Sequence, residues 1–329
     1  MHRLRAENKM ELERNNSLVV GIDTSNYTTS VGILTLDGEL VANLKRPLPV
    51  KEGERGLRQS DAVFAHVKNL PELMQQAAEF IGGRRVVAIG VSEKPRNSVG
   101  SYMPCFLVGV AAAETASGLF NSPLFRFSHQ CGHIMSVLYA CGREPVLGES
   151  FGAFHVSGGT TELVLATPDD NGFVTEIIGG TKDLNAGQVI DRIAVAMGLP
   201  FPGGAHLEKY ASEFTGKLVR RRPPMDGCFV NLSGLENLAL NTISSSQDKS
   251  MTAAFVLDYI GSAMEGMSRA FIEKYGDRPL VYAGGVMSNG IIRERLQKRF
   301  DCCFGPPSLS ADNAVGIAAL ARRAYLKSH

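Results

Sequence analysis

The sequence predicts an α/β protein of two duplicated lobes, and three observations carry that prediction. Two stretches share one plan: LVVGIDTSNYTTSVGILTLDGELVANLK from Leu18 and GAFHVSGGTTELVLATPDDNGFVTEIIGG from Gly152. Each reads as an apolar strand, a loop of Thr, Ser, Gly or Asn, a second apolar strand, a turn and a third strand. The turns, Asp37-Gly38 and Asn171-Gly172, are strong hairpin signals between β-rich runs. After each meander, helical and strand patterns alternate, which requires a sheet covered on both faces.

In the first half the patterns predict a helix over 61–81, a strand over 86–92, a helix over 106–120, a strand over 123–127 and a helix over 129–140. In the second half they predict helices over 185–197 and 252–274, a buried strand over 280–283, and helices over 291–300 and 311–326. The expected organisation is an N-terminal extension over 1–17, a first lobe over 18–147 completed by the C-terminal helix 311–326, and a second lobe over 148–310. A cleft is expected between the duplicated lobes. Met10 is an alternative start within the polar N-terminal stretch.

A chain of 329 residues buries about 75% of its unfolded surface and needs no disulfide to hold it. Its six cysteines contain no C-x-x-C pair, a pattern of reduced thiols that predicts a cytoplasmic protein. No signal peptide and no apolar run of membrane-spanning length are read, so no membrane partner is expected. Lys+Arg of 34 against Asp+Glu of 33 excludes a polycation, so any nucleic-acid contact needs a local basic patch. The best candidate is KLVRRRPP at 217–224, although a solvated loop between helices is the favoured reading of that run, because no aromatic residues interleave with its charges.

The first loop of each meander exposes backbone N–H groups and hydroxyls of the kind that hold phosphate oxygens. Such a matched pair, together with AGGVMSN at 283–289, is the expected arrangement of the actin-like, sugar-kinase and heat-shock-chaperone ATPases, with two ribonuclease-H-like lobes. The glycines at 158–159 would let backbone approach a phosphate closely. Asp191 reads as a ribose-hydroxyl partner or a solvated helix charge, and Asn289 as a helix cap or a nucleotide contact.

The stretch FRFSHQCGHIMSVLYACG places His129 and His133 four apart on a helix, on one face. Neutral imidazoles there suit a borderline metal such as iron or zinc, while spacing alone favours two histidines that satisfy local hydrogen bonds. Asp312, before an apolar run, reads as a third ligand or as an N-cap. A zinc protease would carry a general-base Glu directly after the first histidine. Gln130 stands there, which argues against peptidase activity, and Cys131 reads as a packed thiol.

Several motifs in order resemble those of the tRNA threonylcarbamoyltransferase family, long catalogued as glycoprotease or O-sialoglycoprotein endopeptidase. They are GIDTSNYTTSVGIL, SHQCGH, HVSGGTTEL, DLNAGQVIDRIAVAMGLPFPGG, NLSGLEN, AGGVMSNGIIR and SADNAVGIA, running from about Val19 to Ala324. The resemblance implies metal-dependent transfer of a threonylcarbamoyl group from an adenylate carrier to N6 of the adenosine beside the tRNA anticodon. It implies one divalent metal ion, iron or zinc, on His129, His133 and Asp312. It implies a phosphate loop at Asp23, Thr24 and Ser25. An adenine nucleotide (threonylcarbamoyl-adenylate or ATP, magnesium being an option) would contact Val156, Ser157, Gly158, Gly159, Thr160, Asp191, Gly204 and Asn289. Its partners would be tRNA and other proteins of threonylcarbamoylation, a dimerising paralogue and a small ATPase or kinase.

Three departures point to a divergent paralogue. Thr160 follows the Gly-Gly pair where relatives have His or Asn, Glu236 replaces a lysine, and SEKPRNSVGSYMPCF replaces a shorter segment before the helix at 106. Two other classes of function stay open: phosphoryl transfer or ATP hydrolysis with a different acceptor, and a non-catalytic nucleotide-binding scaffold.

Overall fold

The computed structural model describes residues 16–25, 27–49, 57–246, 248–310 and 312–329. The extension expected at 1–17 therefore falls mostly outside the described residues, and its last residue, Ser17, already opens the first strand. The chain divides into two units. One comprises residues up to Glu144, Pro168–Thr175 and Asp312–His329, and the other Pro145–Thr167 and Glu176–Ala311.

The first unit holds a five-stranded sheet. β1 (Ser17–Ser25), β2 (Thr28–Thr35) and β3 (Leu40–Pro47) form the antiparallel meander. β4 (Arg85–Lys94) and β5 (Leu124–Ser128) add parallel strands, giving the order β3-β2-β1-β4-β5. Helices α1 (Gln59–Ile81), α2 (Phe106–Phe120) and α3 (His129–Ala140) alternate with the strands. A core including Leu18, Val20, Ile22, Leu70, Ile89 and Ala113 packs α1 and α2 on the sheet.

Glycine decides how the C-terminal helix seats on this sheet. Gly21 pairs with Gly32 on one side and with Gly90 on the other, so three glycines form a row across β2, β1 and β4. A Cβ at Gly21 would lie 2.5 Å from both Ala314 O and Ala318 N, and one at Gly90 would lie 2.8 Å from Ile317 O. The bare row lets helix backbone rest directly on strand backbone.

The second unit holds a seven-stranded sheet of order β12-β11-β6-β7-β8-β10-β9. Its strands are β6 (Phe151–Val156), β7 (Thr161–Pro168), β8 (Phe173–Thr181), β9 (Met225–Asp226), β10 (Phe229–Val230), β11 (Leu280–Ala283) and β12 (Cys302–Phe304). Its helices are α4 (Ala186–Ala196), α5 (Gly204–Glu213), α6 (Ser233–Ser246), α7 (Lys249–Tyr275), α8 (Gly290–Gln297) and the single turn α9 (Pro307–Ser310). Helix α10 (Val315–Ser328) then closes the first unit. Tyr282 stacks between Phe154 and Phe304 with ring centroids 4.7 Å from each, and its hydroxyl meets Ser268 Oγ at 2.6 Å. That satisfied hydroxyl lets the ring lie fully buried. Among the described residues no helix is long and apolar enough to cross a membrane.

Candidate metal centre and nucleotide pocket

Helix α3 starts where Ser128, with extended backbone, accepts Cys131 N on its side chain. The helix meets α10 at a glycine contact: a Cβ at Gly316 would lie 1.9 Å from Gly132 O. No side chain separates the two backbones there, so the residues that precede α10 lie beside the first turn of α3. The N-cap position of α10 is Ala314, and Asn313 Oδ1 accepts Val315 N at 3.0 Å. The N-cap reading of Asp312 is thereby corrected, because the residue stands two positions before the cap.

Asp312 Oδ1 lies 3.1 Å from His133 Nε2 and 3.7 Å from His129 Nε2. One donor atom from each residue falls within 4.8 Å of the others. Donors bound about 2.0–2.2 Å from a tetrahedral ion sit roughly 3–3.5 Å apart, so small side-chain adjustments suffice to hold one cation. The donor set is two imidazoles and one carboxylate, which leaves coordination positions open, as in catalytic rather than structural sites.

A further carboxylate supports the first histidine. Asp23 is fully buried on β1, and its Oδ1 lies 2.9 Å from His129 Nδ1 while receiving the Ser92 hydroxyl. Among the described residues its Oδ2 has no hydrogen-bond partner. With Nδ1 engaged, His129 presents Nε2 to the Asp312 side, the arrangement by which outer carboxylates orient metal-binding histidines. Burial disfavours the His129 imidazolium, but the charge of Asp23, the hydrogen bond to it and the charge of Asp312 outweigh that and push the pKa up to about 9. Asp23 is held below the ordinary carboxylate range despite its burial, because His129 and Ser92 stabilise its anion.

The residues expected as a phosphate loop, Asp23, Thr24 and Ser25, belong to strand rather than loop. All three end β1 and are buried. Thr24 Oγ1 donates to Cys105 O at 3.0 Å and accepts Gly109 N at 3.1 Å, and Ser25 Oγ lies 3.3 Å from Asp312 Oδ2. Thr24 thus ties β1 to the start of α2, and Asp23 and Ser25 face the candidate metal ligands His129 and Asp312.

Gln130 is buried and accepts the Thr175 hydroxyl at 2.8 Å. Cys131 packs against Asn97 Oδ1 at 3.1 Å, and burial pushes its thiol up to about 12. The replaced segment finds its structural use here. Asn97 Oδ1 also accepts the Ser128 hydroxyl and lies 2.9 Å from Thr175 Oγ1, and Pro95 O accepts Gln130 N, which together pin the start of α3. Lys45 on β3 went unnoticed in the sequence: burial lowers its pKa while the nearby Asp312 charge pulls it back up.

The second unit carries a cavity of about 360 Å³. Ser157 and Gly158 of the β6–β7 turn, Asp191 of α4, Gly204 of α5 and Asn289 line it. Val156, Gly159 and Thr160 do not: Val156 is fully buried beneath, and the Thr160 carbonyl closes the turn on Ser157 N at 2.7 Å. Neither Gly158 nor Gly159 has a positive φ, and a Cβ on either would meet nothing within 4 Å. The chain's own packing therefore does not call for glycine at these two positions, whereas close approach of an external group would. Asp191 Oδ1 accepts Gly203 N at 2.8 Å. Asn289 Oδ1 caps α8 through Ile292 N at 3.1 Å, so the cap reading of that residue holds. Glu208, unmarked in the sequence, also lines the cavity and accepts Gly290 N at 2.7 Å.

Residues 50–319 match the family described as TsaD, tRNA N6-adenosine threonylcarbamoyltransferase. A Bacillus cereus protein named tRNA N6-adenosine threonylcarbamoyltransferase is 30% identical over 330 residues, covering 94% of this chain and 92% of its own. A Listeria welshimeri protein of the same name is 30% identical over 336 residues, covering 96% and 94%. Among solved structures, T. kodakarensis HypF superposes with TM-score 0.57 at 14% identity, over 95% of this chain and 48% of that one. A ROK family transcriptional regulator superposes with TM-score 0.53 at 10% identity, over 95% and 80%. Those likenesses show the two-lobe α/β fold of the actin-like ATPases.

Proposed function

The chain belongs to the tRNA N6-adenosine threonylcarbamoyltransferase family, and from that premise we propose how its residues serve threonylcarbamoyl transfer to a tRNA adenosine. The observation that carries the reading is the convergence of His129, His133 and Asp312 on one point. These residues would hold one divalent ion, iron or zinc. Such an ion, when bound, supplies a Lewis acid for negative charge developing on the carbamoyl oxygen. Asp23 keeps His129 in the tautomer whose Nε2 is available.

The cavity of the second unit would hold the carrier adenylate. The bare turn at Gly158 and Gly159 admits its phosphate close to backbone N–H groups. Asp191, with one oxygen on Gly203 N, has a second for a ribose hydroxyl. In the transfer, the adenosine N6 attacks the carbamoyl carbon, the carbon's bond to the adenylate phosphate oxygen breaks, N6 gives up one proton to solvent, and the nucleotide leaves as AMP. Peptide hydrolysis lacks its base, since Gln130 cannot take a proton from water. The chain would work with other threonylcarbamoylation proteins, a dimerising paralogue and a small ATPase or kinase.

The test combines metal analysis of purified protein with a transfer assay on threonylcarbamoyl-adenylate and unmodified tRNA, partner proteins included. Wild type should carry about one ion per chain and modify tRNA, and the double variant His129→Ala, His133→Ala should do neither. Undiminished transfer by a variant free of metal would overturn the reading.

A further inference from the structure

A second cavity of the same unit, about 820 Å³, lies outside the nucleotide pocket. Lys217, Arg220, Arg295, Lys298 and Arg299 line it, with Asp258 and Glu294. A third cavity, of about 380 Å³, adjoins it through the shared Arg295 and adds Arg222, Arg269 and Glu265. Seven cations thus face three carboxylates, a local excess of four charges on a chain whose whole formal charge is +1.

Ion pairing leaves this excess in place. Arg295 is bound at 2.8 Å to both Asp258 and Glu265, carboxylates only 13% exposed. The same two acids also serve Arg220 at 3.6 Å, Arg269 at 2.8 Å and Arg299 at 3.2 Å. Two carboxylates among four guanidiniums leave a surplus of two. Lys298 is neutralised by Glu294 on its own helix, while Lys217 and Arg222 form no ion pair among the described residues. Arg220 and Lys298 point to solvent, 76% and 66% exposed. The buried pairs around Arg295 hold the floor rigid, and the exposed cations form the rim.

The groove and the nucleotide pocket share walls. Helix α5 contributes Gly204 and Glu208 to the pocket and Ala211 to the groove. The capping residue of α8, Asn289, faces the pocket, and Arg295 and Lys298 at the far end face the groove. An eight-residue helix is about 12 Å long, so Lys298 on the groove stands roughly that far from Asn289 on the pocket.

We propose that this groove binds the sugar–phosphate backbone of the acceptor RNA. The inference rests on the reading of tRNA as acceptor. Arginine forks match phosphate oxygens in paired hydrogen bonds, and the groove offers Phe214 as its one aromatic ring. Its contribution is therefore to affinity and position on the backbone rather than to base reading.

The test measures binding of unmodified tRNA to the full chain across about 50–200 mM salt, for wild type and for Lys217→Ala, Arg220→Ala, Lys298→Ala combined. Each phosphate contact contributes about 0.7–0.9 to the slope of log affinity against log salt. The triple variant should lose about two from that slope and bind at least tenfold more weakly, while its AMP affinity is unchanged. Restoring Arg220 and placing Arg at 217 and 298 should restore the slope. An unchanged slope in the alanine variant, with transfer intact, would overturn the groove and leave the transferase reading standing. Lost RNA affinity in the variant, with no transfer by wild type and its partners, would support the groove while sinking that reading. Equal binding of polyglutamate and tRNA would mark an acidic-peptide site and overturn the proposal.

Discussion

Asp23 Oδ1 stands 2.9 Å from His129 Nδ1, and the two residues come from positions 106 apart in the chain. A ring hydrogen-bonded at Nδ1 keeps Nε2 for a metal. Asp23→Asn keeps the volume and removes the charge that orients the ring and raises its basicity. Metal affinity, read by chelator competition, should fall about 10–100-fold, the usual effect of losing an outer-shell partner. Unchanged affinity would show that packing alone sets the imidazole.

The same pair predicts the pH response of the metal-free protein. Because His129 binds its proton more tightly when folded, with a pKa of about 9 against 6.5 for the free side chain, that contribution is complete below pH 6.5 and is lost as pH rises to 9. The Tm of metal-stripped protein should decline across this window. A cation on Nε2 takes the proton's place, so loaded protein should show a flatter profile, and loading at pH 7.5 should release protons to an indicator dye. Identical profiles with and without metal would count against His129 as a ligand.

The crossing of α3 and α10 gives a third prediction. A Cβ at Gly316 would stand 1.9 Å from the Gly132 carbonyl and 2.5 Å from Ser136 Oγ. Gly316→Ala must push the helices apart, at a cost of about 1–3 kcal/mol, and draw Asp312 away from the histidines. Both Tm and metal content should fall together. A loss of Tm with full metal retention would mean that Asp312 is held by its own loop.

Much of this architecture was legible in the sequence. The helix over 106–120 and the strand over 280–283 are found as read, because each is a dense apolar run bounded by turn residues, Pro104 and Asn121 for the helix and Pro279 and Gly284 for the strand. The histidine pair was visible because helix geometry alone places residues four apart together. The helix over 204–213 was not: it buries only Leu207 and Ala211, too few apolar positions to show a period. The helix over 233–246 is rich in Asn, Thr and Ser, weak helix formers, and rests on buried Leu235 and Ala239. Asp23 carried no local mark of its partner, since the contact with His129 exists only once β1 and α3 are side by side. For the same reason a row formed by Gly21, Gly32 and Gly90 appears only when strand register is known.

The glycines of the second unit separate structural from ligand-driven demand. Gly284 has φ of 97°, and a Cβ there would meet Val156 O at 2.3 Å, so Gly284→Ala should destabilise the fold by about 1–3 kcal/mol. Gly158 has neither constraint, so Gly158→Val should leave stability within about 1 kcal/mol of wild type. Its side chain would instead project toward the cavity that Gly158 lines. AMP affinity, by calorimetry, should drop tenfold or more in Gly158→Val. Equal affinity in the two proteins would move the nucleotide away from this turn.

Glu236 is the departure most directly concerned with the acceptor. On α6 its Oε2 receives Arg192 Nη1 at 3.1 Å, with the side chains 28% and 43% exposed. The anion that would repel an RNA phosphate is thus neutralised by a neighbouring cation. An exposed pair of this kind adds only about 0.2–1 kcal/mol to stability, so Glu236→Lys should fold as wild type does. It would turn a neutral pair into two cations. If RNA passes this helix, the salt slope of tRNA binding should steepen by about 0.7–0.9 for each phosphate newly held, with tighter binding at low salt. Wild-type slope and affinity in Glu236→Lys would place the start of α6 off the path of the RNA, and the exchange of lysine for glutamate would then carry no consequence for the acceptor.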